Sequence, residues 1–159
     1  MPMEMKMDGM EEVSRMLTQL EGQAEAVAAM SLYEGARIVA DAYSKADNQI
    51  RTEPFKYKKD MRLPSPEEKA ALAGKTGIAK FRKNGSEVDT TVGLERDAGY
   101  IQLGNSKVAV AAIANAINSG TSFMQKQPVY RKAASTSRSR ASEEIVKKAE
   151  TEFDKIIKG

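Results

Sequence analysis

The chain offers little of the side-chain chemistry on which enzymes depend. It contains no cysteine and no histidine, which excludes disulfides, thiolate nucleophiles, histidine general bases and the usual zinc sites. The paired acidic residues are Glu11-Glu12, Glu67-Glu68 and Glu143-Glu144. These pairs fall mostly near expected helix starts, where carboxylates interact favourably with the helix dipole. We therefore predict a protein that is not an enzyme and that uses no catalytic residue, cofactor or metal.

A basic segment over residues 48–64 is a candidate for binding. Its cations are Arg51, Lys56, Lys58, Lys59 and Arg62, with Phe55 and Tyr57 among them. Such a loop could contact DNA phosphates, where each neutralised phosphate releases counterions, or it could contact a neighbouring protein. A solvated loop, or one that the acidic patch of a partner chain orders, would have the same composition. A second basic cluster lies within residues 131–148.

Helical periodicity dominates both ends of the chain. Apolar residues recur on one face over residues 10–46, with Gly22 and Gly35 as points where this helix could bend or divide. A last helix is expected over residues 129–157, although residues 131–142 form helix weakly. We expect that weak part to be frayed or solvent-facing.

Two shorter helices are expected between these ends. Ser65-Pro66-Glu67-Glu68 has the residue types of a capping box, and Gly74 would end the helix that it starts. Residues 108–117 are almost entirely apolar, and their alanines favour a buried helix over a strand.

The centre of the chain has strand periodicity. Residues 78–83 and 87–94 predict a hairpin that turns at Asn84-Gly85, with Val88, Thr90 and Val92 on its packed face. Residues 100–103 predict a third strand. Alternating methionines over residues 3–7 predict another, unless the start of the chain is disordered.

These elements predict an α+β fold in which a long N-terminal helical region and a C-terminal helix pack on a small antiparallel sheet. A chain of 159 residues with 41% hydrophobic residues suits one domain over residues 1–159, with the basic loop as an insertion. No apolar run approaches the length of a membrane span, and the first residues lack the pattern of a signal peptide. We expect a protein that is made in the cytoplasm and does not enter a membrane. The net charge of +3 permits contact with nucleic acid without requiring it.

The segment over residues 117–134 combines a sharp turn, a short extended loop and a helix start. Gly120 supplies a backbone conformation that is costly for other residues. Pro128 has no amide donor, so it fits the first turn of a helix. An ordinary connection between a strand and a helix would use the same residue types.

This segment resembles the signature of a bacteriophage family, the tail-completion or neck proteins of long-tailed phages. The family is named after gene product ten of a lambdoid coliphage. The matching positions are Asn118, Gly120, Thr121, Ser122, Met124, Pro128, Val129, Tyr130, Arg131 and Ala134. The order of elements is also similar over nearly the whole chain. The chain departs from the family at Asn118, where an acidic residue is common, and in a longer and more basic stretch over residues 48–73.

The resemblance implies a structural virion protein at the head–tail junction or the top of the tail tube. Its implied partners are copies of itself in a ring, expected to be a hexamer, and the adjacent neck or tail-tube proteins around a DNA channel. The candidate interface residues are Gly120, Thr121, Ser122, Phe123, Met124, Gln127, Pro128 and Tyr130, with Phe123 and Met124 as apolar anchors. Residues Arg51, Lys56, Lys58, Lys59 and Arg62 would line the channel or contact a partner. The alternative is an accessory protein that binds nucleic acid through the basic clusters at 51–62 and 131–148.

Overall fold

The structure is a computed structural model, and it describes residues 3–6, 23–54, 61–84, 87–95 and 97–158. Within these ranges the helices are α1 (Gln23–Asn48), α2 (Pro66–Leu72), α3 (Val110–Ser119) and α4 (Val129–Lys158). The strands are β1 (Met3–Lys6), β2 (Thr76–Ile78), β3 (Arg82–Asn84), β4 (Glu87–Leu94), β5 (Tyr100–Leu103) and β6 (Ser106–Ala109). The predicted α+β class, a small antiparallel sheet packed by long helices, is confirmed.

The long helices α1 and α4 pack against each other in antiparallel fashion. The Tyr43 ring, near the end of α1, meets the Tyr130 ring, at the start of α4, edge to face with centroids 5.7 Å apart. Buried residues recur along α4 every four positions, and they are Ala133, Ser137, Ala141, Ile145 and Ala149. Because most of these side chains are small, the two helices can approach closely over a long distance.

One expectation about the long helices is corrected by this packing. Residues 131–142 are not frayed but form a regular part of α4, with Ala133, Ser137 and Ala141 buried. Most of the segment faces solvent, as expected. The Ser137 hydroxyl is satisfied within the helix, where it donates to the carbonyl oxygen of Ala133 at 2.7 Å. Helix α1 continues without interruption through the buried Gly35. The predicted helical residues 10–22 lie outside the described residues.

The sheet is built around β4, which packs beneath α1. Strand β1 pairs along one edge of β4, from Met3 opposite Val92 to Lys6 opposite Asp89. Strands β2 and β3 share the other edge. Val92 and Thr90 are 0% and 1% exposed, so the predicted packed face of β4 is confirmed.

Strands β3 and β4 pair as the predicted hairpin requires, but the first strand is broken. Asn84 is paired with Glu87, and Gly85 of the predicted turn lies outside the described residues. Ile78 lies opposite Val92 and Arg82 lies opposite Asp89, so residues 79–81 face only residues 90–91. One extra residue on the first strand is the arrangement of a β-bulge, which bends the strand and increases its twist. The bulge is held by Thr90, whose hydroxyl donates to the carbonyl oxygen of Ala79 at 2.6 Å.

Strands β5 and β6 form a separate two-stranded sheet. Leu103 pairs with Ser106 across a turn in which Gly104 has a φ of 59°. The predicted strand at 100–103 is therefore confirmed, but it does not extend the main sheet. The predicted helix at 108–117 begins only at Val110, because Val108 and Ala109 complete β6.

Candidate functional site

The loop over residues 120–128 joins α3 to α4, and Gly120 shapes its first turn. The Gly120 amide ends α3 by donating to the carbonyl oxygen of Ala116 at 2.8 Å. Its φ of 77° lies in the region that favours glycine, and a Cβ at this position would lie 3.0 Å from the Cβ of Lys126. Glycine is therefore favoured here by backbone conformation, and a Cβ would in addition require Lys126 to shift by a few tenths of an ångström.

Thr121 closes the turn that follows. Its hydroxyl oxygen accepts from the amides of Phe123 at 3.1 Å and Met124 at 2.9 Å. Its own amide donates to the carbonyl oxygen of Met124 at 3.0 Å. Because the Thr121 hydroxyl accepts hydrogen bonds from two backbone amides, it mimics a backbone turn. The tip of the loop is therefore held by its own residues.

The loop is also tied to the end of the basic segment. The Arg62 amide donates to the carbonyl oxygen of Phe123 at 2.8 Å, and the Gln125 amide donates to that of Arg62 at 2.9 Å. These bonds form a short parallel bridge between Arg62 and Met124. Side chains alternate along paired strands. Met124 accordingly points inward and is 4% exposed, whereas Phe123 is 68% and Met61 is 56% exposed.

This placement separates the two predicted apolar anchors. The Met124 side chain belongs to the chain's own hydrophobic core, which makes it unavailable to a partner in this conformation. Phe123 remains the one large apolar side chain that the 120–128 loop exposes among the described residues. Its register neighbour across the bridge is Met61, which the sequence did not single out.

Gln127 holds the other end of the loop through its side chain. The amide of Arg51 donates to Oε1 of Gln127 at 2.9 Å, and Nε2 of Gln127 donates to the carbonyl oxygen of Arg51 at 3.0 Å. The Gln127 side-chain amide thus exchanges two hydrogen bonds with the Arg51 backbone, as a residue on a neighbouring β-strand would. Gln127 is 5% exposed, and its amide donates to the carbonyl oxygen of Ile117 at 2.7 Å. It therefore supports the loop and does not face a partner.

Tyr130 is a second buried support. Its hydroxyl donates to Oδ1 of Asp47 at the end of α1. Burial raises the pKa of Asp47, although the Tyr130 hydrogen bond and the charge of Lys69 act in the opposite direction. Burial and the nearby Asp47 carboxylate together raise the pKa of Tyr130, so the hydroxyl keeps its proton and its role as donor.

The start of α4 is capped by Asn118. Its Oδ1 accepts from the amide of Arg131 at 3.2 Å. Burial of this side chain is therefore compensated by a hydrogen bond to an otherwise unpaired helix amide. Of the remaining predicted interface residues, Ser122 is exposed and Pro128 is half-buried.

The base of the basic loop is closed by acidic side chains. The Arg62 guanidinium makes two bonds to the Glu68 carboxylate, at 2.6 and 3.1 Å. Oε1 of Glu53 accepts from the amide of Leu63 at 2.9 Å, and the Glu53 amide donates to the carbonyl oxygen of Pro64 at 3.0 Å. Residues on the two sides of the loop therefore lie next to each other.

Glu68 connects this base to α2. The predicted capping box is confirmed, since Glu68 accepts from the Ser65 amide at 2.9 Å and its own amide donates to the Ser65 hydroxyl at 3.2 Å. Burial alone would raise the pKa of Glu68, but the hydrogen bonds and charge of Arg62 and the bonds of Ser65 outweigh it. The pKa of Glu68 is therefore lowered.

The described ends of the basic segment and the loop over residues 120–128, which were predicted as separate candidate sites, are joined by hydrogen bonds. Gln127 binds the backbone of Arg51, and Arg62 binds the backbone of the loop tip. The Arg51 side chain is exposed, whereas the Arg62 guanidinium is committed to Glu68. The other predicted cations, Lys56, Lys58 and Lys59, lie outside the described residues.

The described part of the chain contains no group of acidic side chains that could hold a metal ion. None of its helices combines the length and apolar character needed to cross a membrane. Comparison of the chain with protein-family models, curated proteins and solved structures gave no match.

Replacing Gln127 with leucine should destabilise the protein by about 1–3 kcal/mol, because the part-buried amide and carbonyl of Arg51 would both lose their partner. Urea denaturation measures the change in the free energy of unfolding. The matched control is Gln125→Leu at an exposed position, which should change stability by less than about 0.5 kcal/mol. Equal effects of the two substitutions would contradict the supporting role of Gln127.

The stability that Glu68 contributes should depend on pH. Its folded-state pKa lies below the unfolded value of 4.5, so its contribution is present above pH 4.5 and is lost as the pH falls through the folded pKa. Wild type and Glu68→Gln should therefore differ most in the free energy of unfolding near pH 7. The difference should shrink on acidification below pH 4.5, as measured by denaturation across a pH series. A difference that stays constant would contradict the charged pairing with Arg62.

Proposed function

We propose that this chain is a structural virion protein of a tailed bacteriophage, which forms a ring at the head–tail junction or at the top of the tail tube. The observation that carries the proposal is the exposure of Phe123, 68%, at the tip of a loop that is held by hydrogen bonds of Thr121, Arg62 and Gln127. Several of the residues that carry the resemblance also have structural roles in this loop. Gly120 and Thr121 shape the turn, and Tyr130 fixes the start of α4.

A fixed loop suits a contact that must form many times in the same way. Ordering a flexible segment on binding costs free energy, and a loop that is already ordered avoids that cost. A single well-placed aromatic residue often supplies a large part of the binding energy of an interface. Phe123, with Met61 beside it, therefore supports a role in binding another protein.

The proposed assembly is built from repeated contacts between copies of the chain. In a ring each copy uses one surface toward the next copy and a different surface toward the previous one, and the ring closes when the rotation angle permits. The proposed partners are further copies, with a hexamer as the expected ring, and the adjacent neck or tail-tube proteins. The proposed location is the virion, with assembly in the host cytoplasm and without bond-making chemistry.

Replacing Phe123 with aspartate should leave the chain folded and prevent heads from joining tails, because the exposed anchor would carry a charge. Electron microscopy of lysates in which this variant is the only copy of the chain should show separate heads and tails, and the titre of infectious particles should fall at least about a hundredfold, the loss expected from about 2.7 kcal/mol at an interface hot spot. Tyr100→Asp, at another exposed aromatic residue (64% exposed), is the matched control. Full infectivity of the Phe123 variant would contradict the proposal.

A second candidate function, binding of nucleic acid, is favoured by the charge distribution on α4. Its first half carries exposed cations and no acidic residue over residues 129–142, and these cations are Arg131, Lys132, Arg138 and Arg140. None of the four forms an ion pair within the described part of the chain. Exposed hydroxyl groups of Ser135, Thr136 and Ser139 lie between them. Unpaired cations beside hydroxyl groups suit contact with a phosphate backbone.

If this surface binds DNA, affinity for a random-sequence duplex should fall with salt concentration, with a log–log slope of about −3 to −4 for four neutralised phosphates. Fluorescence anisotropy measures the affinity. Replacing Arg131, Lys132, Arg138 and Arg140 with glutamine should abolish the dependence, while the same change at the exposed Lys45 and Lys155, outside the basic clusters, serves as the control. Binding too weak to measure at low salt would contradict this second candidate.

A further inference from the structure

The second half of α4 carries a surface stripe that nothing in its own chain covers among the described residues. Its members, which we call the α4 stripe, are Glu143, Val146, Glu150, Asp154 and Ile157. Their spacing of three or four residues puts them on one side of the helix. Val146 is 53% and Ile157 is 58% exposed, and the three acidic residues are exposed as well.

The acidic residues of the α4 stripe are available for a partner. In the described part of the chain, the ion pairs of this half of α4 are made by Glu152, with Lys148 at 3.0 Å and Lys155 at 3.1 Å. Glu143, Glu150 and Asp154 form none there. The α4 stripe therefore combines two exposed aliphatic side chains with three unneutralised carboxylates.

The surface around the loop tip is apolar and basic, which complements the apolar and acidic α4 stripe. Met61 and Phe123 lie side by side across the bridge and are both exposed. Arg51 and Lys126 flank Gln127 and are exposed too, and neither forms an ion pair within the described residues. We call Arg51, Met61, Phe123 and Lys126 the loop face. Two apolar side chains with two cations suit a partner surface that is apolar and acidic.

The loop face and the α4 stripe of one chain cannot meet. Helix α4 is unbroken from Val129 to Lys158, and the loop ends where it begins. At 1.5 Å per residue the α4 stripe begins about 20 Å from the start of α4 and ends about 40 Å from it. Contact between the two surfaces therefore requires two copies of the chain.

We propose that the loop face of one copy docks on the α4 stripe of the next copy, and that this contact repeats around the ring. The inference rests on the proposed ring and identifies the surface that receives the loop. Phe123 and Met61 would pack against Val146 and Ile157, while Arg51 and Lys126 would approach Glu150 and Asp154. Because the two surfaces differ, one copy can offer its α4 stripe to the next copy while its loop face binds the previous one, as a ring requires.

Charge reversal in two separate variants tests the contact. The loop variant is Arg51→Glu with Lys126→Glu, and the stripe variant is Glu150→Lys with Asp154→Lys. All four side chains are exposed, so both variants should keep the fold, which circular dichroism checks. Size-exclusion chromatography with light scattering then measures the mass of the assemblies over a range of protein concentrations.

Each variant alone should lose the assembly that the wild type forms, because every contact would bring like charges together. An equal mixture should recover it, because the acidic loop face of one variant fits the basic stripe of the other and the remaining contacts are native. The matched control is a pair of reversals at exposed cations of α4 outside the stripe, Lys132→Glu with Arg140→Glu, which should leave assembly unchanged.

The outcomes separate the contact from the proposed function. A mixture that stays monomeric, variants that assemble as the wild type does, or a wild type that is monomeric at every concentration would each overturn the contact. A twofold dimer that is lost and recovered in the same way would support the contact and contradict the ring. A ring that is insensitive to both reversals would support the proposed function and overturn the contact.

Discussion

The antiparallel packing of α1 on α4 is the constraint on which the rest of the structure depends. It brings the end of α1 to the start of α4, although these points are far apart in sequence. The chain that leaves α1 at Ile50 and the chain that enters α4 at Pro128 must therefore run beside each other. Their contact, made by Gln127 with Arg51, follows from the helix pairing and could not form without it.

Several polar side chains are buried in this junction, but they have hydrogen-bond partners. Among the described residues no buried side-chain nitrogen or oxygen lacks a hydrogen-bond partner. A buried polar network stabilises one arrangement when every member is satisfied, and it destabilises the fold when members are left out. The satisfied network explains how a loop that exposes Phe123 can keep a defined shape while a large apolar side chain faces water. Its rigidity comes from Thr121, Gln127 and Arg62 rather than from apolar packing of the tip.

Local signals in the sequence predicted the local structure well. The antiparallel pairing of the strands that end at Asn84 and begin at Glu87, and the helix cap at Ser65, both depend on near neighbours, and both are present. The sequence failed where distant residues decide the outcome. Residues 131–142 form helix weakly in isolation, but burial of Ala141 against α1 outweighs that preference. Likewise, nothing in the residues around Met124 shows that it enters the core, because its inward direction is set by pairing with Arg62.

The α4 side of the helix contact, which is lined mainly by alanine and serine, has a further property. Large side chains interlock and oppose movement of one helix along the other, whereas small ones leave a smoother surface that resists such axial slip less. Another feature must therefore fix the axial position of α1 relative to α4. The Tyr130 hydroxyl on Asp47 and the Gln127 amide on Arg51 lie together at one end of the pair. These hydrogen bonds fix the axial position of one helix relative to the other, as single buried polar residues set the register of coiled coils.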